Sequence, residues 1–177
     1  MAKPSMKYIT SVKGLDFWCF RPSMFCQYFM DYPEEEHPWY EKRLLHRVRM
    51  MLEHLRGGYI VYYLYASEEL VGHIVVARGG WRLRVSTEKD IVLGPIWISP
   101  RHRNRGFAAR GIHAVLHELG LEYENAYEYI AKDNWASRRT VEKNNYVLLG
   151  EARERGLLKH IEMYEGGEFV VYRYSHS

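Results

Sequence analysis

The residues best suited to chemistry lie in a basic turn that joins an apolar run to a helix-like segment. The turn reads Ile96-Trp-Ile-Ser-Pro-Arg-His-Arg-Asn-Arg-Gly-Phe-Ala-Ala. The first N–H groups of a helix have no internal partner, and the helix dipole favours an anion there. Gly106 would let a ligand approach the backbone closely, and Arg103 and Arg105 add positive charge. These features favour a pyrophosphate site, although a tight turn with solvated arginines fits this segment alone equally well.

A second segment follows the next apolar run and reads Ala131-Lys-Asp-Asn-Trp-Ala-Ser-Arg-Arg-Thr-Val-Glu-Lys-Asn-Asn-Tyr. Together the two segments resemble the GNAT (general N-acetyltransferase) superfamily from about residue 91 to residue 150. Arg103-Asn-Arg-Gly106-Phe-Ala108 is similar to the family's Arg/Gln-x-x-Gly-x-Gly/Ala loop. Asn134-x-Ala-Ser137 and the following Val-Glu-Lys-x-x-Tyr146 are similar to its Asn-x-x-Ser/Ala…Glu-Lys-x-Gly-Phe segment. One motif is weak evidence, but the ordered pair at the usual separation is specific.

The resemblance implies an acetyl-CoA site and a role for each matching position. Main-chain groups of Ile96, Trp97 and Ile98 would pair with the pantetheine arm as an added strand does. Asn134 would bind the pantetheine or order the strand end. A helix N-cap is an equally favoured role for Asn134, and one side chain can serve both roles. The other predicted cofactor-binding residues lie in the basic turn, called the phosphate turn below, and in the second motif. They are Arg103, Asn104, Arg105, Gly106, Phe107, Ala108, Ala109 and Ser137.

The chain departs from the family pattern at two positions. Many members carry a tyrosine seven residues after the motif asparagine, where it protonates the leaving thiolate, and here that residue is Val141. The glycine before the closing aromatic residue is Asn145, which can take a left-handed conformation. Valine at the first position is familiar in the subgroup that resembles ribosomal-protein N-terminal and polyamine acetyltransferases. The closing segment Gly156…Glu162-Met-Tyr-Glu-Gly-Gly-Glu-Phe-Val-Val-Tyr also resembles the last hairpin of that subgroup.

Acid–base chemistry has few clear candidates in this sequence. A neutral amine must attack a thioester, so a general base or a water relay is needed. Tyr129 stands where some members carry a glutamate base, and we interpret it as a substrate-wall residue or thiolate proton donor, with core packing as the alternative. Glu151 is the second catalytic candidate and His102 a further one, each with surface solvation as the alternative. Glu128 should point to the sheet face opposite Tyr129.

Metal and redox chemistry find little support. His113 and His117 lie four residues apart on one predicted helix, but no third ligand stands out, so no metal is expected. Cys19 and Cys26 form no CxxC pair and lie far from the motifs in the sequence, which argues against a disulfide framework and an acyl-enzyme.

The net charge of +3 is mild and no nucleic-acid motif is present, so no nucleic-acid partner is expected. No signal peptide or membrane-spanning run is evident, so a cytoplasmic protein with no membrane partner is expected.

The expected elements must bring the two motifs together. One GNAT-like domain over residues 1–177 is the simplest organisation, because no linker or repeat divides the chain. The order of elements predicts an α/β (α+β) fold with a mixed sheet. The resemblance implies that this sheet is mostly antiparallel and twisted, with a V-shaped splay between two parallel strands, Ile96–Ile98 and Ala126–Ala131. An amphipathic helix is predicted from about Tyr40 to Leu55, and Pro95 should place a bulge in a central strand. Strands are predicted at 7–12, 59–66, 70–77, 90–98, 126–131, 146–152 and 169–174, and helices at 105–119 and 134–144.

The sequence thus predicts an N-acetyltransferase that moves an acetyl group from acetyl-CoA to a primary amine in a ternary complex. The alternative is a weak or inactive CoA-binding sensor with the same fold, which Val141 slightly favours. A nucleic-acid binder that uses the arginines of the two motifs is disfavoured by the mild charge. The acceptor, a small molecule or a peptide, is left undetermined by the sequence, and a homodimer is left open.

Overall fold

The fold is described from a computed structural model, which covers residues 6–23, residue 48, and residues 51–156 and 159–175. Within these ranges the strands are β1 (Lys7–Val12), β2 (Leu15–Phe20), β3 (Tyr59–Ala66), β4 (Glu69–Arg78), β5 (Ile91–Ile98), β6 (Asn125–Ala131), β7 (Val147–Arg155), β8 (His160–Met163) and β9 (Phe169–Ser175). Residues 51–55 are helical (α1), and two further helices are α2 (Phe107–His117) and α3 (Trp135–Glu142). The nine strands form one sheet in the order β1-β2-β3-β4-β5-β6-β9-β7-β8, so the predicted mixed, mostly antiparallel sheet is confirmed.

The first half of the sheet is a series of antiparallel neighbours, β1 to β5. β2 was not predicted, because its hairpin turn is short and carries no strong turn signal. Lys13 (φ 50°) and Gly14 (φ 77°) are both left-handed, which suits a two-residue hairpin between β1 and β2. β8 was also not predicted, and it forms the sheet edge beside β7.

The tyrosines of β3 fill the sheet as their type suggests. Tyr59, Tyr62 and Tyr63 are buried, and Tyr65 is half-buried. Tyrosine favours pleated, partly buried surfaces, which suits these positions in the sheet.

The parallel pair of β5 and β6 opens almost at once. Over the described residues, the pairing of these strands is confined to Ile91↔Ala126 and Val92↔Tyr127. Beyond Val92 they diverge, which confirms the predicted splay. On the other edge of β5 the register with β4 shifts between Leu93 and Ile96, and Pro95 lies in this bulge as predicted.

The two faces of the sheet are packed differently. α2 and α3 cover one face with a core that includes Ile112, Val115 and Val141. The opposite face near β6 has a separate core of Leu83, Val92, Tyr127, Ala152, Ile161 and Val171, with Tyr129 and Phe169 packed against it. Side chains that alternate along β6 therefore enter two different environments.

The predicted first helix is described only at its end. Tyr40, Leu44 and Leu45 lie outside the described residues, and residues 51–55 are helical just before Gly57. Val48 (44% exposed) and Leu55 (56% exposed) do not contribute to a buried stripe, which corrects the expectation for these two positions. Among the described residues, no helix is long and apolar enough to cross a membrane.

Candidate active site

The phosphate turn is shaped by two residues in left-handed conformations. Asn104 has φ 61°, and Gly106 has φ 75° and forms the N-cap of α2. A Cβ at Gly106 would meet no heavy atom of the described chain within 4 Å. Glycine is therefore favoured there by the backbone angle rather than by crowding, and the space above the helix start is open.

The start of α2 presents main-chain donors to this open space. The N–H of Arg110 donates to the carbonyl of Gly106 at 3.0 Å, which is a bond of the first helical turn. The N–H groups from Gly106 to Ala109 precede that bond, so helix geometry gives them no intrahelical acceptor. Phe107 is buried, while Ala108 and Ala109 are half-buried. The predicted amides Asn104 to Ala109 are thus gathered at one helix end.

Three arginines surround this helix end. Arg103 donates from Nε to the carbonyl of Ile98 at 3.2 Å, which ties the turn to β5. The guanidinium carbons of Arg105 and Arg110 lie 5.6 and 4.7 Å from the centroid of the Phe107 ring. Arg110 was not predicted, and it donates to the carbonyls of Lys13 (2.7 Å) and Arg105 (3.3 Å). The three arginines thus place positive charge around this helix end.

Residues Ile96 to Ile98 form the edge of the splay on β5. They pair with β4 on their other side, where Trp97 is opposite His73. The two rings stack with centroids 5.9 Å apart, and both side chains are buried. The positions predicted to face the pantetheine arm therefore sit on a rigid strand where β6 has already diverged.

On β6 the two residues just past the last β5–β6 pair face opposite ways, as predicted. Tyr129 is half-buried, 5.8 Å from the Phe169 ring, and the guanidinium carbon of Arg82 lies 5.2 Å from its ring centroid. Glu128 is buried on the face of α2 and α3, and its Oε1 has no hydrogen-bond partner among the described residues. Burial raises the pKa of the Glu128 carboxyl from 4.5 to about 8.

Glu151 lies on β7 in an ion pair. Its carboxylate contacts Nζ of Lys132 and accepts the N–H of Gly166. The hydrogen bond from Lys132, and then that from Gly166, hold the pKa of Glu151 below 4.5. A carboxylate stabilised in this way is a weak base near neutral pH.

His102 is buried at the start of the phosphate turn rather than solvated. Its Nε2 lies 3.3 Å from Oε2 of Glu69, and its ring meets Phe107 edge-on at 6.1 Å. These contacts are those of a residue that supports the turn.

The second motif folds as a capped helix. The N–H of Ser137 donates to Oδ1 of Asn134 at 3.2 Å, so Asn134 is the N-cap of α3. Val141, which replaces the family tyrosine, is 1% exposed and belongs to the core. Asn145 is left-handed (φ 62°), as its replacement of a glycine suggested.

The described groups with metal or thiol chemistry are two histidines of α2 and a cysteine of β2. The His113 and His117 rings lie 4.7 Å apart, and no cluster of three or more potential ligands occurs in the described ranges. Cys19 is buried in β2, where burial raises the pKa of its thiol. Cys26 lies outside the described residues.

Comparisons with known proteins agree with this geometry. The sequence model of the acetyltransferase (GNAT) family matches residues 21–146, more than half of the chain. No curated protein matches the chain.

Solved structures with the same fold include the microcin C7 self-immunity acetyltransferase MccE in complex with acetyl-CoA and AMP, at 11% identity and a TM-score of 0.59, over 93% of this chain and 94% of that one. RimL, a ribosomal L7/L12 α-N-protein acetyltransferase in complex with coenzyme A, is 15% identical with a TM-score of 0.60. The match covers 96% of this chain and 98% of that one. The acetyltransferase of Salmonella typhimurium that modifies the N-terminal serine of L7/L12 is 14% identical with a TM-score of 0.57. The match covers 97% of this chain and 100% of that one. From its sequence match and its fold, this chain belongs to the GNAT acetyltransferase family.

Proposed function

We propose that this chain moves an acetyl group from acetyl-CoA to a primary amine. The observation that carries the proposal is the divergence of β5 and β6 after Val92, next to a helix start with Gly106 in a left-handed conformation. The diverged strands offer a slot for an extended pantetheine arm, and the helix start offers donors and positive charge for its pyrophosphate.

The reaction is direct attack within a ternary complex. The neutral amine nitrogen forms a bond to the thioester carbonyl carbon and the carbon–sulfur bond breaks. The nitrogen releases one proton to a base or water relay, and the thiolate takes up one proton. A main-chain N–H of Ile96 to Ile98 would stabilise the charge that develops on the thioester oxygen. Tyr129 would line the path of the amine or protonate the thiolate. Cys19 is buried in the core, which argues against an acyl-enzyme at that residue.

The proposed acceptor is a small molecule or a peptide with a free amine. RimL is described as an α-N-protein acetyltransferase, and MccE as an acetyltransferase for self-immunity against microcin C7. These proteins share the fold across nearly their whole length with this chain, which supports acetyl transfer but leaves the acceptor to experiment. A screen of amines with thiol detection addresses this point.

Gly106→Glu tests the cosubstrate site, because it adds bulk and negative charge where the pyrophosphate would lie. Gly120→Glu is a matched control: Gly120 also has a positive φ (64°) and open space around its Cβ, but it follows the other end of α2. Calorimetry should show that Gly106→Glu abolishes CoA binding while Gly120→Glu retains it. Equal affinity in the two variants would refute the site, and CoA binding by the wild type without turnover would favour a sensor.

A further inference from the structure

Arg82 is a buried cation whose hydrogen-bonding capacity is largely unused. The residue is 6% exposed, and neither Nε nor Nη1 has a hydrogen-bond partner in the described part of the chain. These two atoms carry three of the five N–H donors of a guanidinium. Nη2 meets Oε1 of Glu154 at the long distance of 3.4 Å. Buried polar groups are normally satisfied, so these donors call for an acceptor.

The backbone holds Arg82 firmly in place. Its carbonyl accepts the N–H of Ile161 at 2.7 Å, and the N–H of Arg84 donates to the carbonyl of Ile161 at 2.9 Å. Leu83, between the two arginines, is fully buried and forms a parallel bridge with Ile161. The guanidinium is therefore presented by a segment docked on β8 rather than by a loose loop.

The position of Arg82 relates it to the proposed path of the acceptor. Its guanidinium carbon lies 5.2 Å from the ring centroid of Tyr129, at the start of the splay. The other face of the sheet is filled there by the core beneath α2 and α3, which includes Val141. An amine that reaches the slot along Tyr129 would therefore pass close to Arg82.

The carboxylate that pairs with Arg82 also pairs with a second cation. Glu154 is shared, because its Oε2 also contacts Nζ of Lys159 at 3.0 Å. Two cations thus face one carboxylate. Guanidinium groups form their strongest hydrogen bonds with carboxylates and phosphates, and burial strengthens such bonds.

We infer that Arg82 binds an anionic group, a carboxylate or a phosphate, of the amine acceptor. The inference rests on the proposed acetyl transfer and narrows its substrate class to amines that carry negative charge. Tyr129 would then form the wall between this anion and the slot, with the guanidinium against its ring.

The test compares matched acceptors with the full-length protein and acetyl-CoA. The pair 4-aminobutyrate and 4-amino-1-butanol differs in a carboxylate, and the pair O-phosphoethanolamine and ethanolamine differs in a phosphate, so the two pairs distinguish the anions. Thiol release gives kcat/KM for each amine. In the wild type we expect a preference of at least roughly tenfold for one anionic member over its neutral counterpart.

Two variants separate recognition from a structural role. Arg82→Gln should reduce the preference by at least roughly tenfold with CoA affinity retained, because the anion loses its charged donor. Glu154→Gln should keep or increase the preference, because it removes the carboxylate that competes for Arg82. The inference would be overturned if the wild type showed no preference for an anionic amine. It would also be overturned if Arg82→Gln lowered kcat/KM equally for the anionic and the neutral amine of a pair. Calorimetry with CoA and turnover of the neutral amines report separately on the proposed acetyl transfer.

Discussion

Replacement of Glu128 by glutamine should change how stability depends on pH. Glu128 is buried, its Oε1 has no partner among the described residues, and burial raises its pKa from 4.5 to about 8. The folded protein therefore retains a proton that the unfolded chain releases above about pH 4.5. Because the folded state binds more protons between these pH values, the free energy of unfolding should fall as the pH rises from about 4.5 to about 8.

The size of the effect follows from the same shift. One pKa unit corresponds to about 1.36 kcal/mol. A rise from 4.5 to about 8 therefore lowers the free energy of unfolding by at most roughly 5 kcal/mol at a pH above about 8. Glutamine has the same shape as the protonated carboxyl and does not ionise. Glu128→Gln should thus differ from the wild type by less than about 1 kcal/mol near pH 5, and should be more stable by roughly 2–5 kcal/mol near pH 9.

Urea denaturation followed by tryptophan fluorescence, repeated from about pH 5 to about pH 9, measures this difference. Glu165→Gln changes an exposed carboxyl in the same way and should leave the slope of stability with pH unchanged. If Glu128→Gln showed the wild-type slope between pH 5 and pH 9, the carboxyl would be charged in the folded protein and the reasoning from burial would be refuted.

Three further predictions concern the proposed reaction and its scaffold. Tyr129→Phe should lower turnover by less than roughly tenfold, because water can protonate a thiolate whose thiol has a pKa near about 8.5; a loss of about 10²–10⁴-fold with unchanged CoA affinity would instead assign the acid to Tyr129. The double variant Cys19→Ala/Cys26→Ala should retain activity with intersecting double-reciprocal lines, whereas parallel lines would indicate a ping-pong reaction. Asn134→Ala removes the cap of α3 and should cost about 1 kcal/mol in urea denaturation. A weaker CoA affinity of this variant in calorimetry would show that Asn134 also contacts the cosubstrate, and unchanged stability would contradict the capping role.

The sequence by itself determined the features that depend on local backbone geometry. Gly106 at a helix start, Asn134 three residues before its hydrogen-bond donor, and Pro95 in a strand each act through neighbours in the chain. Their conformations follow from the steric limits of glycine and proline and from the capping ability of asparagine. These local features, with the two motifs and their order, could therefore be predicted from the residues alone, and the splay followed from the resemblance that the motifs carry.

Tertiary structure alone decided which distant side chains meet. Arg82 lies against Tyr129, and Lys132 pairs with Glu151, although no spacing in the sequence links either pair. Strand order contributes to this, since β9 inserts between β6 and β7 and carries Phe169 to the side of Tyr129. Strand β2 and the edge strand β8 also escaped prediction. Such contacts arise from long-range strand pairing, which is set by the packing of the whole sheet rather than by any local pattern.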